Sequence, residues 1–180
     1  MKIILIVFLL FLGCKEGEAV NSYRLPKYPA PDKLDSELNQ STDLFSWDIP
    51  VSWMQANVNQ FSKANYLIPS TSGSAEVSVS YFGGDAGGIE ANVNRWRRQV
   101  GLQELNIQEI ELIGESYLCK IGNYKVYEII NPDNNDLAFL CSVIPTETQT
   151  IFLKLRTYPA IIDNFKQEFI EFSSSFNYNE

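Results

Sequence analysis

Asn92, Arg95 and Gln99 recur at intervals of three and four residues, which sets two carboxamides and a guanidinium along one flank of a helix. Arginine presents a planar fork of donors that fits carboxylates and phosphates, and flanking amides add neutral donors to such a site. Helical side chains lean towards the N-terminus, so Arg95 reaches back towards the glycine-rich segment Gly83-Gly-Asp-Ala-Gly-Gly88 and its acid, Asp85. Two roles fit this set. Arg95 and its neighbours recognise a partner protein or an acidic ligand, or they hold the glycine segment shut by satisfying its carbonyls and Asp85.

Other chemistries find no support in the residue types. The 180-residue chain contains no histidine, which removes Ser-His-Asp and Cys-His catalysis, His-ligated zinc and the usual general base near neutral pH. Three cysteines are too few for a thiolate zinc site once the first is committed elsewhere, so no metal or other cofactor is expected. Glu109, Glu111 and Glu115 alternate with apolar residues and read as the solvated face of a strand, not as paired catalytic acids. Asp133-Asn-Asn-Asp136 lacks the spacing and closing glutamate of a calcium loop and reads as a hairpin turn.

The elements that position the arginine flank are a strand, the glycine turn and a helix. Val77, Val79 and Tyr81 alternate with Ser78, Ser80 and Phe82. After the glycines, Ile89, Val93, Trp96 and Val100 form an apolar stripe, and Gly101 supplies the stop. Glu90 and Arg97 fall on the flank opposite Arg95, with Asn94 and Arg98 turned towards solvent. The glycines match no nucleotide-binding motif. No frame gives Gly-x-Gly-x-x-Gly, and Ile89-Glu90 stand where a phosphate loop needs Lys-Ser/Thr.

The chain opens with Lys2 and an apolar run from Ile3 to Leu12, too short for a lasting membrane span and typical of a secretory signal. Phe11-Leu-Gly-Cys14 resembles a bacterial lipobox, which implies cleavage after residue 13 and acylation of Cys14. Lys15 after the cysteine, in the sorting rule that goes with that resemblance, favours the outer membrane. Residues 14–43, polar and carrying Pro26, Pro29 and Pro31, read as the lipidated N-terminus and a flexible tether, with a single domain from 44 to 180. The formal charge of −8 becomes more negative when the signal is removed and argues against nucleic acid as a partner. Cys119 and Cys141 lie in apolar strand-like runs. Export permits a bridge between them, and two buried free thiols are the expected state.

Along the domain, Phe45 to Trp53 suggests a short strand and a turn at Pro50, with Trp47 and Trp53 as packing residues. Strands follow at 64–69 and 75–82, then the helix, an ambiguous stretch at 102–108 that also suits a short helix, and strands through 109–115, 117–121, 124–130, 137–144 and 150–156. A last helix begins near Pro159 and buries Ile162, Phe165, Phe169 and Phe172. Strands joined by hairpin-length links, with helices segregated from them, indicate an antiparallel α+β domain.

Three segments carry a family resemblance. Trp47-Asp-Ile-Pro50-x-x-Trp53 is similar to the opening of a group of uncharacterised bacterial lipoproteins. Phe82 to Leu102 resembles their F-x-G-x-x-G-G-x-x-A-N-x-N-R-W-R-x-Q-x-G-L block, and Ile151-Phe-Leu-Lys-Leu155 resembles a W-F-F-K-L strand. The resemblance implies a PsbP/Mog-one-like fold, an antiparallel sheet with helices on both faces, whose members mostly bind partners and do not catalyse. It transfers no catalytic residues. The expectation is a membrane-anchored lipoprotein of the cell envelope, held to the lipid bilayer through Cys14. Its domain binds an envelope protein or a small anionic ligand without catalysing a reaction. A small secreted hydrolase acting on an anionic substrate, or a structural envelope protein, is the alternative.

Overall fold

Seven strands form one antiparallel sheet in the order β2-β3-β4-β8-β7-β6-β5. They are β2 (Met54–Ala56), β3 (Ala64–Ile68), β4 (Ala75–Gly83), β5 (Glu115–Cys119), β6 (Gly122–Ile130), β7 (Ala138–Pro145) and β8 (Gln149–Thr157). The computed structural model describes residues 44–179, so the expected signal peptide, the Cys14 lipidation site and the tether lie outside the described residues. Within them, β1 (Phe45–Ser46) pairs with β9 (Asn177–Tyr178) as a separate two-stranded ribbon.

The helices are α1 (Ile89–Gln99), α2 (Ile107–Ile113) and α3 (Asp163–Ser174), the last preceded by a 3₁₀ turn at Pro159–Ile161. Residues of β6, β7 and β8 alternate between two separate apolar clusters, which is why β7 is buried along nearly its whole length. On one face Ala138, Leu140 and Ile144 lie with the α3 residues Phe165, Phe169 and Phe172. On the other, Phe139, Cys141 and Val143 lie with the α1 residues Val93 and Trp96 and with Val100. The fold class is therefore α+β, an antiparallel sheet with helices on both faces.

The α3 face is the larger core. Trp53 packs on Phe172 with centroids 4.6 Å apart, and Trp47 stacks on Phe176 at 5.0 Å, so both tryptophans serve packing. Burying one such aromatic or aliphatic side chain contributes about 1.5–3 kcal/mol. The buried hydroxyls on this face are satisfied: Ser142 and Ser173 share a 2.7 Å hydrogen bond, and Ser173 also donates to the Phe169 carbonyl.

One expected strand is a helix. Residues 107–113 form α2, not the alternating strand that Glu109, Glu111 and Glu115 suggested. A capping box decides it: the Asn106 side chain accepts from the Glu109 amide at 3.0 Å, and Glu109 accepts from the Asn106 amide at 2.9 Å. Gly114 then lets the chain pass over Tyr127, whose ring would lie 2.8 Å from a Cβ at that position. Cys119 and Cys141 are both buried and free, as expected.

Candidate functional site

The glycine segment is built around one carboxamide. Ala86, Gly87 and Gly88 take φ values of 52°, 85° and 82°, three successive residues in left-handed backbone that turns the chain from β4 into α1. Asn92, 2% exposed, donates from Nδ2 to the Ala86 carbonyl at 3.0 Å and the Gly88 carbonyl at 2.7 Å. Arg95 Nη2 donates to Asn92 Oδ1 at 2.7 Å, so the guanidinium orients the clasp from outside while remaining exposed. Asp85 accepts from the Gly87 amide at 3.1 Å. The loop is thus held by Asn92, and Arg95 acts on it through Asn92 instead of through Asp85.

Those residues do not converge on one site. Asn92, Arg95 and Gln99 line a groove of about 600 Å³ between α1 and the open half of the sheet. Asp85 lines a different cavity of about 570 Å³ beside the turn between β7 and β8. In that second cavity Lys125 is ion-paired with Glu111, and Glu147 adds a further acid.

The groove's floor comes from β4 and β8. Ser78 lies opposite Lys154 and Ser80 opposite Phe152 in register, all on the α1 side of the sheet. Phe61, Phe82, Trp96 and Phe152 supply an aromatic wall; Phe61 is 66% and Phe82 43% exposed. Lys154 Nζ sits 4.8 Å from the Phe139 ring centroid, a cation–π contact, and makes no carboxylate ion pair among the described residues. Burial pushes the Lys154 ammonium below the ordinary lysine range, and the like charges of Arg95 and Arg156 push the same way. Arg156 leans 3.7 Å from Glu76 at the exposed rim. A neighbouring hollow of about 470 Å³ shares Ser78 and Lys154, so the lysine stands between two recesses.

The thiol and the acids singled out by the sequence lie apart from one another among the described residues. Burial raises the Cys141 thiol far above its usual range, which keeps it protonated and inert. Glu109 caps α2, Glu111 holds Lys125, and Glu115 bonds Lys166 and Tyr117, so the three acids are engaged separately. No group of three or more metal-ligating side chains occurs among the described residues.

Lys154 escaped the sequence reading, although a signal was present. In Ile151-Phe-Leu-Lys-Leu155 the odd positions are uniformly apolar, and a lysine in the even register marks a face left partly uncovered. Asn94 was misplaced. Instead of facing solvent it is 5% exposed and pairs doubly with Leu105, donating to its carbonyl at 2.8 Å and accepting from its amide at 2.9 Å. The segment after α1 folds back over that flank, which helical periodicity cannot foresee.

No protein-family profile and no curated protein sequence matches the chain. Solved structures do. The solution structure of cyanobacterial PsbP (CyanoP) from Synechocystis sp. PCC 6803 superposes with a TM-score of 0.50 at 18% identity, covering 77% of this chain and 89% of that one. The fold is PsbP-like. Weaker matches are LpqN, described as involved in cell envelope biogenesis of Mycobacterium tuberculosis, and a protein from Bacteroides thetaiotaomicron. Their TM-scores are 0.44 and 0.42, each at 10% identity and over 76% of this chain, with 83% and 46% of theirs covered. Similarity that low carries no functional argument.

Proposed function

We propose that this protein is a lipid-anchored lipoprotein of the bacterial cell envelope, sorted to the outer membrane. Its PsbP-like domain is a non-enzymatic binding module, and the α1 flank bearing Arg95 is its recognition surface. The anchor rests on the apolar N-terminal run and the lipobox-like Phe11-Leu-Gly-Cys14. The observation that carries the binding role is the groove, where Arg95 and Lys154 bring two cations beside exposed aromatic rings and no carboxylate pairs with either among the described residues. A partly desolvated lysine in a cleft, held by a ring contact and by no carboxylate, marks a candidate binding site.

The test is crosslinking of the C-terminally tagged full chain in cells, comparing the native form with Arg95→Ala. A defined molecule captured by the native form, and lost from a variant that keeps its melting temperature, supports recognition through α1. Capture unchanged by the variant returns Arg95 to loop support alone.

A further inference from the structure

Resting on that binding role, we propose that the groove between α1 and β4 takes a small amphiphilic anion. The ligand is a single carboxylate or phosphate group on an aromatic or short aliphatic body. Lys154 and Arg95 receive the headgroup, and the exposed rings of Phe61 and Phe82 cover the body. Charge complementarity and size select this occupant. The chain as a whole is acidic, at −8, yet this groove concentrates cations: the like charges of Arg95 and Arg156 both act on Lys154. The acid at its rim, Glu76, is taken up by Arg156 at 3.7 Å. The groove's volume of about 600 Å³ falls within the range of small-ligand sites and is far too small for a protein surface to enter as a folded body.

The polar groups are arranged for one headgroup, not for a chain of charges. The Ser80 side chain makes no hydrogen bond among the described residues and lies beside Phe152, one step along the strand pair from Ser78 and Lys154. An anion at Lys154 thus finds an ammonium, a guanidinium and a hydroxyl, all donors of charge-assisted or neutral hydrogen bonds. The second cavity offers no such set. Its lysine is already paired with Glu111, and Asp85 and Glu147 repel an anion.

The experiment uses the full chain in zwitterionic nanodiscs with 4-benzoylbenzoate, an aromatic carboxylate that crosslinks on illumination, and its neutral methyl ester. Attachment sites are mapped by mass spectrometry. Expected is carboxylate-dependent labelling of peptides carrying Phe61, Phe82 or Phe152. It should fall about tenfold in Lys154→Met and in Arg95→Gln, the loss one charge-assisted hydrogen bond accounts for. Competition by decanoate and by phenyl phosphate separates carboxylate from phosphate headgroups. Equal labelling by the ester, or labelling untouched by both variants, overturns the proposal. Arg95→Gln alters an exposed side chain and, with its melting temperature shown to be unchanged so that the Asn92 clasp is intact, keeps the test valid should Lys154→Met disturb folding. If the probe fails while cellular crosslinking still captures a partner in an Arg95-dependent way, the small-anion ligand falls and the binding module stands. Failure of both removes both.

Discussion

On the α3 face, β3, β4, β8, β7 and β6 each send apolar side chains inward, from Tyr66 and Val79 to Leu153, Leu140 and Val126. On the α1 face the buried cluster draws its strand residues from β6, β7 and β8 among the described residues, and β4 presents Ser78, Ser80 and the half-exposed Phe82 where its other side presents Val77 and Val79. The same strands thus support a closed core on one side and a half-covered surface on the other. The difference teaches that α1 is placed to make an edge. It covers the β6–β8 half and leaves its Arg95 flank overlooking the remainder. Stability on the first side comes from apolar area, and on the second from a smaller apolar cluster supplemented by a few satisfied amides.

Four substitutions would break or sharpen that contrast. Phe169→Ala, in the middle of the α3 core and fully buried, is expected to cost about 3–5 kcal/mol, read as a fall in the denaturation midpoint with an unchanged slope. Asn94→Ala strips both partners from the Leu105 backbone and is expected to cost about 1–3 kcal/mol, with faster amide exchange confined to residues 102–106. If it cost as much as Phe169→Ala, the α1 side would not be the looser one.

Lys154→Met should act in the opposite sense. It removes a desolvated cation from beside two others and keeps a similar apolar length, so the melting temperature should rise by about 2–4 °C, equivalent to roughly 1 kcal/mol in a domain of this size. A gain in stability accompanied by a loss of anion capture would mark the groove as kept for function at the expense of the fold. A fall in melting temperature would show that the Phe139 contact outweighs the repulsion.

The smallest effect concerns the ion pairs at the rim of the α3 side, where Lys166 bridges Glu128 at 2.9 Å and Glu115 at 3.1 Å. Hydrogen bonds from Tyr117 and then Lys166 hold the Glu115 carboxyl below its usual range, so its contribution is present above that range and is lost as pH falls through it. The Glu128 and Glu115 hydrogen bonds outweigh burial and raise Lys166, whose contribution is complete below the ordinary lysine range and is lost as pH climbs beyond it. Lys166→Met should flatten both limbs of the stability–pH curve while costing under about 1 kcal/mol at neutral pH, as exposed pairs do. An unchanged acid limb would assign that slope to other carboxylates.

Much of this arrangement was legible in the residues because two periodicities were clean. The stripe Ile162, Phe165, Phe169 and Phe172 gave α3, and the alternation of Val77, Val79 and Tyr81 gave β4. Where local signals competed, the reading failed. Glu109 to Glu115 alternates well enough for a strand, yet the Asn106–Glu109 capping box and the turn at Gly114 settle a helix over Ile107–Ile113. The flank of Asn92, Arg95 and Gln99 was visible from spacing, but the other half of the groove comes from β8, about sixty residues later, and only the β4–β8 register joins them. Asp85 was grouped with that flank by nearness in sequence, and the left-handed run at Ala86 to Gly88 turns it into the neighbouring cavity.

The pairing of Phe45 with Tyr178 and of Ser46 with Asn177 also gives the described chain the topology of a nearly closed ring. Its two ends meet within one rung of a β-ladder, so a short linker from residue 179 to residue 44 would close the circle without disturbing the seven-stranded sheet. The ring could then be reopened in the polar turn at 131–136, between β6 and β7, yielding a circularly permuted domain with the same cores and the same groove.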